Sequence, residues 1–112
     1  MLKEIHILID FEKAEIAFKK YLQAYNLEYG KIELKIRHTF GVVNASEYIA
    51  KELKLSDEDI ELAKLIALLH DIGRFEQIKR YDCFIDNKSI DHAILGNEIL
   101  FKNNLIRNFI KD

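Results

Sequence analysis

His38, His70, Asp71 and His92 are the residues of this chain whose types suit metal-assisted chemistry. His70-Asp71 joins two good ligands end to end, closing the largely apolar run Leu62 to Leu69 and preceding Ile72-Gly73-Arg74. Imidazole and carboxylate together suit Mn, Fe, Co, Ni or Zn better than Ca or Mg. Such an ion, held with open coordination positions, lowers the pKa of water from about 16 toward about 7 and neutralises phosphate oxygens. The chemistry that follows is attack of activated water on a phosphorus centre or a comparable ester. The position of the acid points the same way. Gly73 reads as a helix C-cap in the left-handed conformation, which puts Asp71 in the last helical turn. A carboxylate there is unfavourable by roughly 0.3–1 kcal/mol, and a bound cation reverses the sign.

These side chains have to be positioned by helices. Proline is absent and there are four glycines in 112 residues, which favours helices joined by short turns over sheet. The spacing predicts a first helix from about Asp10, its N-cap, to Tyr25, with Ala14, Phe18, Tyr21, Leu22 and Tyr25 on one apolar stripe. A second helix runs from about Lys31 to Leu53, with Leu34, His38, Val42, Ala45, Ile49 and Leu53 on the inward face. Gly41 lies inside it at a cost of roughly 1 kcal/mol, acceptable if something approaches the backbone there. Ser56 caps a third helix, Asp57, Glu58 and Asp59 complement its positive start, and Ile60, Ala63, Ala67 and His70 form its stripe; it should be the central, most buried helix. Glu76 to Lys88 reads as a loop. Ser89 caps a fourth helix from about Ile90 to Lys102, with His92, Leu95, Gly96 and Ile99 on one face, and a fifth begins at Leu105. The apolar pattern is still running at Ile110, so the expectation is a compact all-α bundle of four to five helices that is C-terminally truncated.

The bulk numbers exclude several classes. The length suits one domain spanning 1–112, and a 49% hydrophobic, 32% charged composition is that of a soluble globular protein. A net charge of −2 gives no electrostatic case for a nucleic acid polymer. No apolar stretch is long enough for a membrane span, and the N-terminal residues do not read as a signal peptide. The single cysteine, Cys83, fits a reducing, cytoplasmic setting. Self-association is left open.

The pattern resembles a known family. His38, with His70-Asp71 thirty-two positions later, is similar to the HD-domain superfamily of metal-dependent phosphohydrolases. The string Leu68-Leu69-His70-Asp71-Ile72-Gly73-Arg74-Phe75-Glu76-Gln77 is close to the family's central motif. The string Ser89-Ile90-Asp91-His92-Ala93-Ile94-Leu95-Gly96 looks like a segment found downstream of it. The resemblance covers about 31–100. It implies that His38, His70 and Asp71 are metal ligands, that Asp71 also orients or deprotonates the nucleophile, and that the substrate is a phosphorylated small molecule such as a nucleotide. It makes His92 either a ligand to a second metal or an acid and phosphate contact, and lets Arg74 hold a phosphate through two nitrogens. It also implies a further aspartate from a later helix, where this chain offers only the terminal Asp112.

The plainer readings are these. A histidine on an apolar face is commonly a packing residue, and Arg74 and His70 could be C-terminal cations of helix three. Asp91 reads as a helix-start acid, Glu76 as a solvated loop acid, His6 as a surface residue, and the Phe18, Tyr21, Tyr25 stripe as core. The expectation is a metal-dependent phosphohydrolase acting on a phosphomonoester or phosphodiester. The rivals are a non-catalytic nucleotide-sensing or protein-interaction module on the same scaffold, and a structural bundle without metal.

Overall fold

A computed structural model describes residues 9–102 and 104–110 of the chain; His6 and Asp112 lie outside them. Helix α1 spans Phe11–Leu22, α2 Gly30–Glu52, α3 Asp57–Leu69, α4 Gly73–Tyr81 and α5 His92–Asn97, and all secondary structure among the described residues is helical. Asp10 caps α1 by accepting from the Lys13 amide, and Ser56 caps α3 by accepting from the Asp59 amide. These side chains satisfy amide groups that a helix start leaves orphaned.

The core forms where α1 lies against the α2–α3 pair. Phe11, Ala14, Phe18 and Leu22 bury one face of α1, as their i, i+3/i+4 spacing requires. Phe18 sets its ring edge-on to Phe40 of α2 and Phe75 of α4, at 5.9 and 5.8 Å between centroids, a favoured aromatic geometry. Tyr21 and Tyr25 close this cluster half-buried, and the Tyr25 hydroxyl donates to Glu76, which also accepts from Arg80. Glu76 is therefore a structural anchor of α4.

Two sequence expectations need correcting here. The segment from Glu76 begins in a helix, not a loop. In α4, Phe75, Gln77 and Ile78 turn inward, and Glu76–Arg80 adds an i,i+4 ion pair. The helix stops at Asp82, which takes the left-handed conformation at φ 54°. A nine-residue helix with only two large apolar or aromatic inward residues, Phe75 and Ile78, beside an inward glutamine leaves a weak periodic signal. Gly73, moreover, is no C-cap. His70 and Ile72 both keep right-handed helical dihedrals, and no glycine has positive φ. The chain leaves α3 at His70, turns through Asp71 and Ile72, and starts α4 at Gly73. Asp71 thus sits just before the positive end of a new helix, as well as past the negative end of the old one, so the dipole penalty expected of it is offset.

The face of α2 also differs. Ile32, Thr39, Val43 and Ala50 are the buried positions, whereas Leu34, His38, Ala45, Ile49 and Leu53 are exposed. On α3, Leu65, Ala67 and Leu68 are buried while Leu62 and Ile66 face solvent, so this helix is not wrapped on all sides. Both inward and outward faces of α2 are apolar, and periodicity alone does not choose between them.

Asp91, not Ser89, caps α5, accepting from the amides of Ala93 and Ile94; its reading as a helix-start acid holds. Past α5 the chain widens into a π turn over Glu98–Lys102, and the expected fifth helix is a 3₁₀ turn over Leu105–Asn108.

Gly41 faces open space, with nothing within 4 Å of where a Cβ would stand. No neighbour requires it to be glycine. Gly41→Ala should therefore stabilise the fold by about 0.5–1 kcal/mol through helix propensity, seen as a higher denaturant midpoint at unchanged slope.

Candidate metal centre

Four elements converge on one carboxylate. α2 contributes His38, the end of α3 His70, the α3–α4 junction Asp71, and the first turn of α5 His92. Asp71 Oδ2 lies 3.2 Å from His70 Nε2 and 3.6 Å from His38 Nε2, and Oδ1 lies 3.4 Å from His92 Nε2. The His38 and His70 rings are 5.8 Å apart between centroids. The side chain of Asp71 is nearly buried, that of His92 one-fifth exposed, and His38 about half exposed, so the group is open on the α2 side. His38 is not on an inward face, as its spacing had suggested; it stands at the rim.

The donor set suits one first-row metal ion. One ligand atom from each of His38, His70 and Asp71 lies within 4.8 Å of the others, close to the spacing of about 3–4 Å that ligand bonds of 2.0–2.2 Å impose around one ion. The ring orientations agree. His70 Nδ1 is 2.6 Å from the Ala67 carbonyl oxygen and so donates to it, which in the neutral ring makes Nε2 the acceptor facing Asp71. His92 Nδ1 is 3.0 Å from Asp86 Oδ2, a carboxylate–imidazole pair that likewise turns Nε2 toward Asp71.

Two residues that belong to this site are absent from the sequence expectation. Lys35, one turn before His38, places Nζ 3.2 Å from Asp71 Oδ2 and 5.1 Å over the Phe84 ring. Its i, i+3 spacing to His38 was the available signal. Asp86, in the stretch read as loop, has its Oδ1 within reach of Arg74 Nη1 at 3.1 Å and Gln77 Nε2 at 2.9 Å, besides pairing with His92. Nothing local in the sequence distinguishes Asp86 from any turn acid; its role depends on α4 being a helix.

Arg74 stands next to this network rather than over Asp71. Its Nη1 donates to Gln77 Oε1, the Phe84 carbonyl and Asp86, and its Nε is buried without a partner. Asp86, Asp91 and His92 also bring ligand-type atoms together. Asp91 Oδ1, however, is engaged in capping α5, and Asp86 in holding His92, Arg74 and Gln77.

The charges set the state of the acids. Burial by itself would raise the Asp71 pKa, but the charges of His70, Lys35 and His92 and the Lys35 hydrogen bond outweigh it and hold the carboxyl below its usual range. Asp86 is also lowered, chiefly by its hydrogen bond with His92. Both are carboxylates at neutral pH, as a metal ligand and its supporting acid need to be.

Glycines fix the approach of α5 to this centre. A Cβ on Gly73 would overlap the His92 carbonyl oxygen and stand 2.7 Å from the Gly96 amide nitrogen, and one on Gly96 would stand 3.3 Å from the Gly73 nitrogen. The start of α4 and the middle of α5 therefore touch backbone to backbone, which sets His92 beside Asp71.

The family model for the HD domain matches residues 36–111, well over half of the chain. The chain belongs to the HD-domain family. The match takes in His38, the His70-Asp71 pair and His92, the residues that converge in space. No curated protein and no solved structure shows a significant match. The fold is the all-α one that HD membership implies, and among the described residues no helix is long and apolar enough to cross a membrane.

Proposed function

We propose that this HD domain hydrolyses a phosphomonoester or phosphodiester, a nucleotide being one candidate, with a divalent transition metal (Mn, Fe, Co, Ni or Zn) held by His38, His70 and Asp71. The observation that carries the reading is the convergence of these donors within 4.8 Å, with His70 locked by Ala67 in the tautomer that leaves Nε2 free. An ion held there would lower the pKa of water and draw charge from phosphate oxygens. The chain's own residues do the rest. Asp71 Oδ1, on the His92 side, is placed to orient a water and take its proton. His92 Nε2, backed by Asp86, faces the same space and in its protonated form hands a proton to the departing oxygen; a second metal at His92 is the other use of that nitrogen. Lys35 adds a positive charge for the phosphate. Arg74 ties α4 to the Phe84–Asp86 segment and so positions His92 through Asp86. A net charge of −2 favours a small phosphorylated molecule over a nucleic acid polymer.

One observation favours a second reading. Lys35 neutralises Asp71 without any metal, and no further carboxylate joins the His38–His70–Asp71 group among the described residues. A site stabilised in that way could serve as a nucleotide-sensing module. The experiment is an assay of phosphate esters and nucleotides with each of Mn, Fe, Co, Ni and Zn, comparing wild type with His70→Ala. Metal-dependent turnover that falls at least 100-fold in His70→Ala is the expected outcome. Equal rates in the two proteins would reject the hydrolase, and calorimetric nucleotide binding without turnover would favour the sensor.

A further inference from the structure

Gln77 is a fully buried polar side chain of α4 that the proposed reaction leaves without a role. It lies between the inward residues Phe75 and Ile78, where an apolar side chain could pack as they do. A buried amide is costly unless its hydrogen bonds are made. Those of Gln77 are made, and they converge on one segment. Nε2 lies 2.9 Å from Asp86 Oδ1, 2.9 Å from Ser89 Oγ and 3.2 Å from the Ile90 carbonyl oxygen, and Oε1 accepts from Arg74 Nη1 at 2.9 Å. Ser89 Oγ gives its own proton to the Ile85 carbonyl, so toward Gln77 it accepts. Three acceptors at Nε2 and a donor at Oε1 fix which way round the amide stands.

The consequence for the metal centre runs through Asp86. Its Oδ1 is taken by Gln77 and by Arg74 Nη1, at 2.9 and 3.1 Å. Oδ2 is the oxygen nearer to His92 Nδ1, at 3.0 Å against 3.2 Å for Oδ1. His92 Nε2 is thereby turned to Asp71 Oδ1, 3.4 Å away. Arg74 depends on the same amide, because Gln77 Oε1 is one of the three acceptors around its Nη1. Gln77 also grips Ser89 and Ile90, which lead directly into Asp91 and the start of α5. One side chain therefore holds both the carboxylate that orients the imidazole and the backbone that carries it.

We propose that Gln77 is a positioning residue for His92. By occupying Asp86 Oδ1 it presents Oδ2 to the imidazole, which keeps the proton of the neutral ring on Nδ1 and Nε2 directed at Asp71. The positioning needs no metal. Its meaning for turnover rests on the hydrolase reading, in which Nε2 faces the departing oxygen.

Nitrogen-15 NMR of the metal-free protein at about pH 8.5, where an ordinary imidazole is neutral, reads the His92 tautomer. Wild type should hold mainly the Nδ1–H form. Gln77→Met keeps the length and removes the amide, and should raise the Nε2–H share about threefold or more. Ser89→Ala removes another partner of Gln77 but leaves Asp86 in place, and should not. Asp86→Ala should shift the tautomer by itself, and adding Gln77→Met should then change nothing further, as expected of residues acting in series. With a metal that supports turnover, Gln77→Met should lower kcat about 10-fold with KM within about 2-fold, the mark of a contact made in the transition state. A wild-type ring mainly in the Nε2–H form, which needs no variant to see, overturns the proposal. So does a tautomer indifferent to Gln77→Met or to Asp86→Ala, or an equal shift in Ser89→Ala. An unchanged kcat beside a shifted tautomer overturns the catalytic part. Absence of wild-type turnover rejects the hydrolase instead, and the tautomer alone then decides the positioning.

Discussion

Gly73→Ala should cost about 3 kcal/mol of stability, a fall of roughly 10 °C or more in melting temperature, although it replaces the weaker helix former with the stronger in a helical position. Propensity alone would favour alanine by about 1 kcal/mol. The added Cβ, however, overlaps the His92 carbonyl and crowds the Gly96 amide. Both neighbours are backbone of α5, which cannot rotate out of the way as a side chain would, so relief requires α5 to move as a unit. His92 is the first residue of that helix and Leu95 packs from it into the interior. The damage should therefore reach the metal centre, with His92 Nε2 drawn away from Asp71. Thermal unfolding of Gly73→Ala beside Gly41→Ala isolates the effect, because both change glycine to alanine in right-handed helix and differ only in what the methyl meets. Equal stabilities for the two variants would show that α4 and α5 do not pack as closely as described.

The same pair of glycines shows what a linear reading can and cannot extract. The motif strings around His70-Asp71 and His92 led to the HD family and to an all-α fold, because they join residue type to spacing. The reason for Gly73 was not legible: a glycine after a helical run reads as a left-handed cap, and only the placement of α5 shows that the requirement is space. The caps at Asp10 and Ser56 were readable because the bonds are local, three residues apart. Lys35 and Asp86 are not legible because their partners are 36 and 6 residues away and come together through the α3–α4 turn and the path to α5. The inward face of α2 is not legible in the sequence for a related reason. Leu34, Ile49 and Leu53 are as apolar as Ile32 and Val43, and which strip is covered depends on α3 and α4, partners the pattern of α2 does not contain.

Asp71→Asn should lower affinity for Mn at least 100-fold by calorimetry, the second large effect. The substitution keeps size and one hydrogen-bonding oxygen but removes the carboxylate that both His38 and His70 approach. A loss of that size corresponds to about 2.7 kcal/mol, in keeping with removing one charged ligand from a three-residue set. Lys35→Met separates two contributions to the same equilibrium. In the metal-free protein the Lys35 ammonium sits 3.2 Å from the oxygen that a metal would take, so it competes for that oxygen and repels an arriving dication. Methionine keeps the aliphatic stem against Phe84 and removes the charge. Affinity for Mn should rise about 10-fold in Lys35→Met. If it falls instead, Lys35 is needed to hold Asp71 in its ligating orientation and acts as a support for the site. If Asp71→Asn binds metal as wild type does, the three donors do not share an ion, and the hydrolase reading loses its basis whatever Lys35 does.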